Sequence, residues 1–183
     1  MLMAAKTAAW TLAELQRLPD DGNKYELVHG ELFVTPAPSP PHESLASVLR
    51  MILEPYVRAQ QLGRIWVPRA VVRIRGSEVE PDLMVRPDTG RVPRKWEDAP
   101  VPTLVAEILS GTTRRRDHEQ KRAFYLESGV AEYWIVDGKS RNIRMIRPDE
   151  ADVVTDTSLV WNPVGATQPL VIDVRTYFRN ALG

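Results

Sequence analysis

The fold is decided by residues 103–136, TLVAEILSGTTRRRDHEQKRAFYLESGVAEYWIV. An apolar strand at 103–109 is followed by a helix at about 114–128 and by a second apolar strand at 131–136. A strand, a helix and a strand in this order are typical of a crossover unit that joins two parallel strands. The segment therefore predicts an α/β protein in which a mixed central sheet has a helix on each side.

Hydrophobic periodicity and turn residues predict the elements around this segment. Upstream they are a short helix at 11–18, a β-hairpin at 25–34 that turns at His29-Gly30, a proline-rich connector at 36–41, an amphipathic helix at 42–61, a strand at 65–74, a turn at Gly76-Ser77, a strand at 81–85 and a polar loop at 86–101. Downstream they are strands at 142–146, 152–155, 158–161 and 169–173 and a helix at 175–181. Since no repeat or linker divides the chain, we expect residues 1–183 to form a single domain.

The composition is that of an ordinary globular protein, with 183 residues, 43% of them hydrophobic. The sequence has no cysteine, which excludes disulfides, zinc–thiolate sites and thiol nucleophiles and fits a reducing cytoplasm. The N-terminus lacks the apolar core of a signal peptide, and no run approaches the length of a transmembrane helix. We therefore expect a cytoplasmic protein with no membrane partner.

The charges are balanced overall but unevenly distributed. The 24 basic and 24 acidic residues give a net charge of zero, which by itself argues against a nucleic-acid-binding protein. However, residues 64–75 and 113–122 are locally basic, and they either form a basic face or are solvated surface charges. On the first interpretation, the candidate contacts to a DNA backbone are Arg69, Arg73, Arg114, Arg115, Arg116 and Arg122.

Two carboxylates accompany successive apolar strands. Glu107 interrupts the apolar run 104–109, and a buried acid is ion-paired, protonated or bound to a cation. Asp82 follows Pro81 at the start of the strand 81–85, where the alternative is a turn aspartate that caps the backbone. Together the two carboxylates could hold a divalent cation that activates a water molecule. This pattern indicates a metal-dependent hydrolase, and the order of the elements favours a nuclease.

The crossover helix carries a third candidate. Asp117, Lys121 and Tyr125 are spaced four residues apart and share one helical face. Lys121 either turns toward Glu107, where it could act in catalysis, or forms an exposed pair with Asp117 worth about 0.3–0.5 kcal/mol. Two further residues are either accessory ligands or ordinary surface residues, namely Glu26 in the hairpin and His42 at the start of the long helix.

An ordered set of motifs extends over nearly the whole chain, roughly residues 11–180. The motifs are YELVHGEL at 25–32, His42, Pro81-Asp82-Leu83, VAEILS at 105–110, the Asp117, Lys121 and Tyr125 series, and SGVAEYWIVD at 128–137. In this combination the chain resembles the Uma-two family of restriction-endonuclease-like proteins. The resemblance implies the PD-(D/E)XK nuclease fold, a mixed central sheet flanked by helices, here with an N-terminal β-hairpin.

The resemblance also implies roles for the site residues. Asp82 and Glu107, with the backbone carbonyl of Ile108, would bind Mg²⁺ or Mn²⁺ for the hydrolysis of phosphodiester bonds in DNA. The lysine of the superfamily would fall two residues after Glu107, but Leu109 stands there. In the Uma-two pattern this lysine is displaced to the following helix, so Lys121 is the candidate for catalysis.

The resemblance further matches Glu26, His42, Asp117 and Tyr125 as accessory residues. DNA is the expected partner, and many such nucleases form a homodimer to cut two strands, although no interface can be read from this sequence. Two alternatives are a binding or scaffold protein that keeps the nuclease fold without efficient catalysis, and a metal-dependent hydrolase of a small phosphate ester. The second of these would not need a basic groove.

Overall fold

The computed structural model of the protein describes residues 8–109 and 114–183, with the backbone alone for 114–118. The elements in chain order are α1 (Leu12–Leu15), β1 (Lys24–Val28), β2 (Glu31–Thr35), α2 (Pro40–Ala59), β3 (Arg64–Trp66), β4 (Val72–Ile74), β5 (Ser77–Val79), β6 (Leu83–Arg86), a 3₁₀ turn (Trp96–Asp98), β7 (Leu104–Ile108), α3 (Arg114–Glu127), β8 (Glu132–Asp137), β9 (Asn142–Ile146), β10 (Val153–Thr155), β11 (Ser158–Trp161), β12 (Leu170–Asp173) and α4 (Val174–Leu182).

The central sheet has six strands in the order β10-β9-β8-β7-β6-β3. Strands β7 and β8 are parallel and α3 connects them, so the predicted crossover unit is confirmed. The other neighbouring strands in this sheet are antiparallel. The sheet is therefore mixed, as the sequence predicts. Strands β11 and β12 form a separate two-stranded sheet.

Side chains on the two faces of the central sheet belong to two different cores. On β7, Leu104, Ala106 and Ile108 pack in a core with α2 and α4. Val105 points to the opposite face and packs in a core shared with α3 and the smaller sheet. Because successive side chains of a strand alternate between faces, Glu107 lies on the same face as Val105. The predicted acid is thus directed toward α3.

A smaller sheet has the strand order β2-β1-β5-β4 and is built from two hairpins. The predicted hairpin β1–β2 is present, and both residues of its turn, His29 and Gly30, have positive φ. The hairpin β4–β5 turns in the same way at Arg75 and Gly76. Positive φ at both turn residues matches the right-handed twist of the flanking strands.

The predicted strand at 65–74 was wrong. The chain forms β3 in the central sheet, turns between Val67 and Ala70, and then forms β4 in the smaller sheet. Pro68 lies in this turn, and a proline cannot donate to a strand ladder. The sequence also predicted no strand at β5, which is only three residues long. The β-prone residues 65–74 are therefore divided between the central sheet and the smaller sheet.

The helices differ from the prediction mainly at their ends. Helix α1 ends at Leu15 rather than near residue 18, and Thr11 caps it as expected. Helix α2 begins at Pro40, because a proline suits the first turn, and it continues through Pro55. Strand β6 begins at Leu83, so Asp82 precedes the strand. Within the described residues, no helix combines the length and apolarity that a membrane crossing needs.

The junction between α2 and the central sheet depends on Gly63, and we expect Gly63→Ala to be more costly than Gly76→Ala. Both glycines have positive φ, which for alanine costs about 1–2 kcal/mol. At Gly63 the added Cβ would also collide with the carbonyl oxygen of Arg86, whereas at Gly76 nothing lies within 4 Å. Urea unfolding should show losses of about 2–5 kcal/mol for Gly63→Ala and about 1–2 kcal/mol for Gly76→Ala. Equal losses would contradict the packing at this junction.

Candidate active site

A cavity of about 460 Å³ opens between the smaller sheet, the start of α2 and the central sheet. The turn at 67–69 forms part of its wall, and α3 reaches it through Lys121. Six of the residues predicted for the site meet here, together with others that the sequence analysis did not select, among them Lys24 and Glu80. The charged and titratable residues that line the cavity are Lys24, Glu26, His42, Glu43, Arg50, Arg69, Glu80, Asp82, Glu107 and Lys121, and Ile108 also lines it.

Asp82 is held by three groups from three different elements. The backbone N–H of Ile108 donates to Asp82 Oδ2 over 2.8 Å, and His42 Nε2 lies 3.1 Å from the same oxygen. Lys24 Nζ lies 3.4 Å from Asp82 Oδ1. Burial alone would raise the pKa of Asp82, but His42, Lys24 and the Ile108 N–H hold it well below its ordinary value. Asp82 is therefore an ionised carboxylate.

Glu107 has a different environment, although it lies close to Asp82. Its side chain is 4% exposed, and its Oε1 accepts from Lys121 Nζ at 3.0 Å and from the Tyr125 hydroxyl at 2.7 Å. Burial raises the pKa of Glu107 above its ordinary value, although the charges of Lys121 and Lys24 oppose the shift. The charge of Asp82 adds to the increase. The two carboxylates are thus close enough to influence each other, and Glu107 is the more basic one.

Lys121 lies between two acids rather than in solvent. Its Nζ is 2.8 Å from Glu26 Oε2 and 3.0 Å from Glu107 Oε1. Burial lowers the pKa of Lys121, but the charges of Glu107 and Glu26 outweigh it and raise the pKa overall, so the ammonium form persists. Lys121 therefore turns toward Glu107, which is the first of the two orientations considered from the sequence. The alternative, an exposed pair with Asp117, is wrong because the Lys121 side chain is only 8% exposed; the Asp117 side chain itself lies outside the described residues.

Glu26 connects the two sheets. Its Oε1 accepts from the backbone N–H of Glu80, which lies between β5 and β6, and its Oε2 faces Lys121. The residue is 1% exposed, so it is a buried carboxylate rather than a surface strand residue. Glu26 therefore supports the site from behind Lys121.

Lys24 is one of the cavity residues that the sequence analysis missed. It lies on β1, and its Nζ donates to the backbone carbonyl of Glu80 at 3.0 Å. Burial lowers the pKa of Lys24, but Glu26, Glu107 and other carboxylates outweigh it, so the pKa is raised above its ordinary value. A signal for this residue exists in the sequence, because Lys24 and Glu26 are two apart on one strand and must share a face.

The donor set of the cavity suits a hard divalent cation. Within residues 8–109 and 119–183, whose side chains are described, no cluster of three or more His, Asp or Glu side chains is arranged to hold a metal ion. Asp82 and Glu107 nevertheless provide two neighbouring carboxylates. Mg²⁺ commonly takes only one or two carboxylates and keeps several water ligands. The residues present therefore fit Mg²⁺ as a two-carboxylate site.

Among the arginines proposed to contact DNA whose side chains are described, Arg69 alone lines the cavity. Arg69 is exposed and lines the cavity. Arg73 and Arg122 do not line it, and each is held in ion pairs with neighbouring acids. The side chains of residues 114–116 lie outside the described part of the chain. Arg50, on the exposed side of α2, lines the cavity and was not selected from the sequence.

Similarity to a known family places the chain among restriction-endonuclease-like proteins. Residues 12–171 match the model of the family Uma2, described as "Putative restriction endonuclease", and the chain belongs to this family. The fold is similar to the crystal structure of a protein described as a "putative nuclease belonging to DUF820" from Anabaena variabilis ATCC 29413. That chain is 22% identical, with 94% of this chain and 99% of that chain covered and a TM-score of 0.79.

A search among curated proteins found no match. The family resemblance and the fold class predicted from the sequence are confirmed. At 22% identity the similarity of structure establishes the fold alone. Membership of the family supports a nuclease at a coarse level.

We expect Tyr125→Phe to destabilise the protein more than Tyr177→Phe. The Tyr125 hydroxyl donates to the carboxylate of Glu107, whereas the buried Tyr177 hydroxyl donates to the neutral carbonyl of Leu45. A hydrogen bond to a charged group contributes about 1.5–3 kcal/mol, and one to a neutral group about 0.5–1.5 kcal/mol. The free energy of unfolding in urea checks this order. If Tyr125→Phe loses no more than Tyr177→Phe, Tyr125 does not support the Glu107 charge.

The stability should also depend on pH through His42. Burial lowers the pKa of His42, but the hydrogen bond and charge of Asp82 raise it above its ordinary value. The stabilisation is therefore fully present below the unfolded pKa of about 6.5 and is lost as the pH rises through the higher folded pKa. We expect the free energy of unfolding in urea to fall above about pH 6.5, and His42→Gln to remove this fall. The exposed His29→Gln is the control and should keep it.

Proposed function

We propose that the protein is a metal-dependent endonuclease that hydrolyses phosphodiester bonds in DNA. One observation carries the proposal. Asp82 and Glu107 come from separate parts of the chain, yet both line one cavity, and the backbone N–H next to Glu107 fixes the Asp82 carboxylate. Membership of a restriction-endonuclease-like family supports the same reaction.

The proposed ligands of Mg²⁺ or Mn²⁺ are the carboxylates of Asp82 and Glu107 and the backbone carbonyl of Ile108. When bound, such an ion polarises the phosphate and lowers the pKa of a water ligand. The chain itself contributes orientation. His42 and the Ile108 N–H hold Asp82, and Lys121 and Tyr125 hold Glu107. Since both carboxylates are fixed by buried partners, little reorganisation is needed before reaction.

DNA would approach from the side of the cavity that carries Arg50 and Arg69. Both side chains are exposed, and both line the cavity. Contacts from arginine to phosphate position the nucleic acid without reading its sequence, and they weaken as salt increases. A homodimer would present two such cavities, one for each strand of a duplex.

A second function is the hydrolysis of a small phosphate ester. The enclosure of the acids favours it, because Asp82 is 6% exposed and Glu107 3% exposed. The same cavity would accept a compact diester without a basic surface around it. Bis(p-nitrophenyl) phosphate is a suitable probe, since its hydrolysis releases a coloured product and requires no contact with a duplex.

The test is cleavage of supercoiled plasmid with and without Mg²⁺ by the wild type, Asp82→Asn and Glu107→Gln. We expect Mg²⁺-dependent nicking by the wild type and a loss of at least about 100-fold in both variants, because each removes a charged ligand. Asp149→Asn is a matched control, since Asp149 is exposed and does not line the cavity. It should cut like the wild type.

The outcomes separate the three functions. Full cleavage by both site variants would contradict the assignment of Asp82 and Glu107. Hydrolysis of bis(p-nitrophenyl) phosphate without plasmid cleavage would favour the small-ester hydrolase. If the folded wild type hydrolyses neither substrate in Mg²⁺ or Mn²⁺, a nuclease-fold binding or scaffold protein is the remaining alternative. Circular dichroism establishes that each variant is folded.

A further inference from the structure

The cavity contains two lysines in unequal environments. The Lys121 side chain is 8% exposed, and its Nζ lies within 3.0 Å of two carboxylates, Glu26 and Glu107. The Lys24 side chain is 18% exposed. Its Nζ has one close partner, the Glu80 carbonyl at 3.0 Å, and a more distant one, Asp82 Oδ1 at 3.4 Å. The two ammonium groups thus differ in exposure and in their contacts.

The difference lies in the donor capacity that each lysine keeps. An ammonium group has three N–H donors. Lys121 donates to Glu107 Oε1 and forms an ion pair with Glu26 Oε2, and in the described part of the chain no other cation lies within 4.0 Å of either carboxylate. For Lys24, the contact to Asp82 lies beyond the usual hydrogen-bond range of about 2.7–3.2 Å. Lys24 therefore retains donor capacity on the cavity wall, beside one of the two proposed metal ligands.

We propose that Lys24 is a further catalytic residue, whose ammonium group binds a non-bridging oxygen of the phosphate to be cleaved. Lys121 is then a positioning residue that holds Glu107 and Glu26. This assignment rests on the proposed function of the cavity. It reverses the expectation from the sequence, in which Lys121 was the lysine that acts in catalysis.

The acidic residues of the cavity explain why a cation is needed to bind the phosphate. Five acidic residues line the cavity, and they would repel a phosphodiester: Glu26, Glu43, Glu80, Asp82 and Glu107. Lys121 already compensates two of them from a buried position. Lys24 is anchored to the Glu80 carbonyl and extends from β1, which is paired along its length with β2. An ammonium that is fixed before the substrate arrives stabilises charge on the phosphate without reorganisation.

The experiment measures how DNA affinity depends on salt. The probe is a fluorescein-labelled 20-base-pair duplex, titrated over a series of KCl concentrations in Ca²⁺, with the integrity of the DNA checked on a gel. The variants are Lys24→Met, Lys24→Arg and, as the matched control, Lys139→Met, since Lys139 is exposed and does not line the cavity. Each phosphate contact contributes about 0.9 to the slope of log K against log salt.

We expect Lys24→Met to reduce this slope by about 0.9, and Lys24→Arg and Lys139→Met to keep the wild-type slope. Lys24→Met should also lower kcat for plasmid cleavage by about 10²–10³-fold, with Lys24→Arg partly restoring it. A merely structural lysine would leave the slope unchanged. Lys121→Met, where it folds, should keep the slope because its ammonium group faces the protein's own acids.

Two results would overturn the inference. One is an unchanged slope in folded Lys24→Met, and the other is a slope that falls in Lys121→Met but not in Lys24→Met. A failure of the proposed function would be distinguishable from a failure of this inference. If no variant and no wild type cleaves DNA while Lys24→Met still loses its share of the slope, Lys24 stands as a phosphate contact and the nuclease activity does not.

Discussion

The structure depends on the buried ammonium of Lys121, which lies between Glu26 and Glu107. These three residues come from α3, β1 of the smaller sheet and β7 of the central sheet, so one cation connects three parts of the fold. Removing water from charges costs several kcal/mol per ion, and the cost is offset only when each charge has close partners. Loss of Lys121 would leave two buried carboxylates without their common cation, and an uncompensated buried charge costs about 3–5 kcal/mol. The same interaction therefore fixes both the fold and the cavity wall.

Two acids of the site, Glu26 and Asp82, lie at the junction of the two sheets and accept hydrogen bonds from backbone N–H groups there. The connector between β5 and β6 cannot continue either ladder, and its N–H at Glu80 is bonded to Glu26. The N–H of Ile108 is bonded to Asp82 in the same way. Buried backbone donors require partners, and carboxylates are strong acceptors. The polar network thus has a structural origin in addition to its chemistry.

Sequence patterns predicted the crossover unit and identified Glu107 as a buried acid. The crossover 103–136 was predicted from two apolar strands around a helix, and Glu107 from its position within an apolar run, since burial of an acid demands an explanation. The prediction failed where local pattern and long-range pairing disagree. Residues 65–74 are uniformly β-prone, but the turn at Pro68 divides them between two sheets. Lys24 was missed because its partners, Glu80 and Asp82, lie more than fifty residues away.

The neutral net charge acquires a physical explanation from the pairing of the arginines. Arg73 and Arg122, which suggested a basic face, are neutralised by acids that the sequence places elsewhere. Arg50 and Arg69 at the cavity also have acidic neighbours, Glu54 and Asp20. Both members of each pair are exposed. Arg73 and Arg122 therefore add little unpaired positive charge that could attract DNA from a distance. On the proposed function, the cations that line the cavity would attract DNA mainly at short range, because exposed charges are screened beyond about 8–10 Å. Such a site would select a phosphate that can enter the cavity, and the shape of its opening would decide which phosphodiesters can do so.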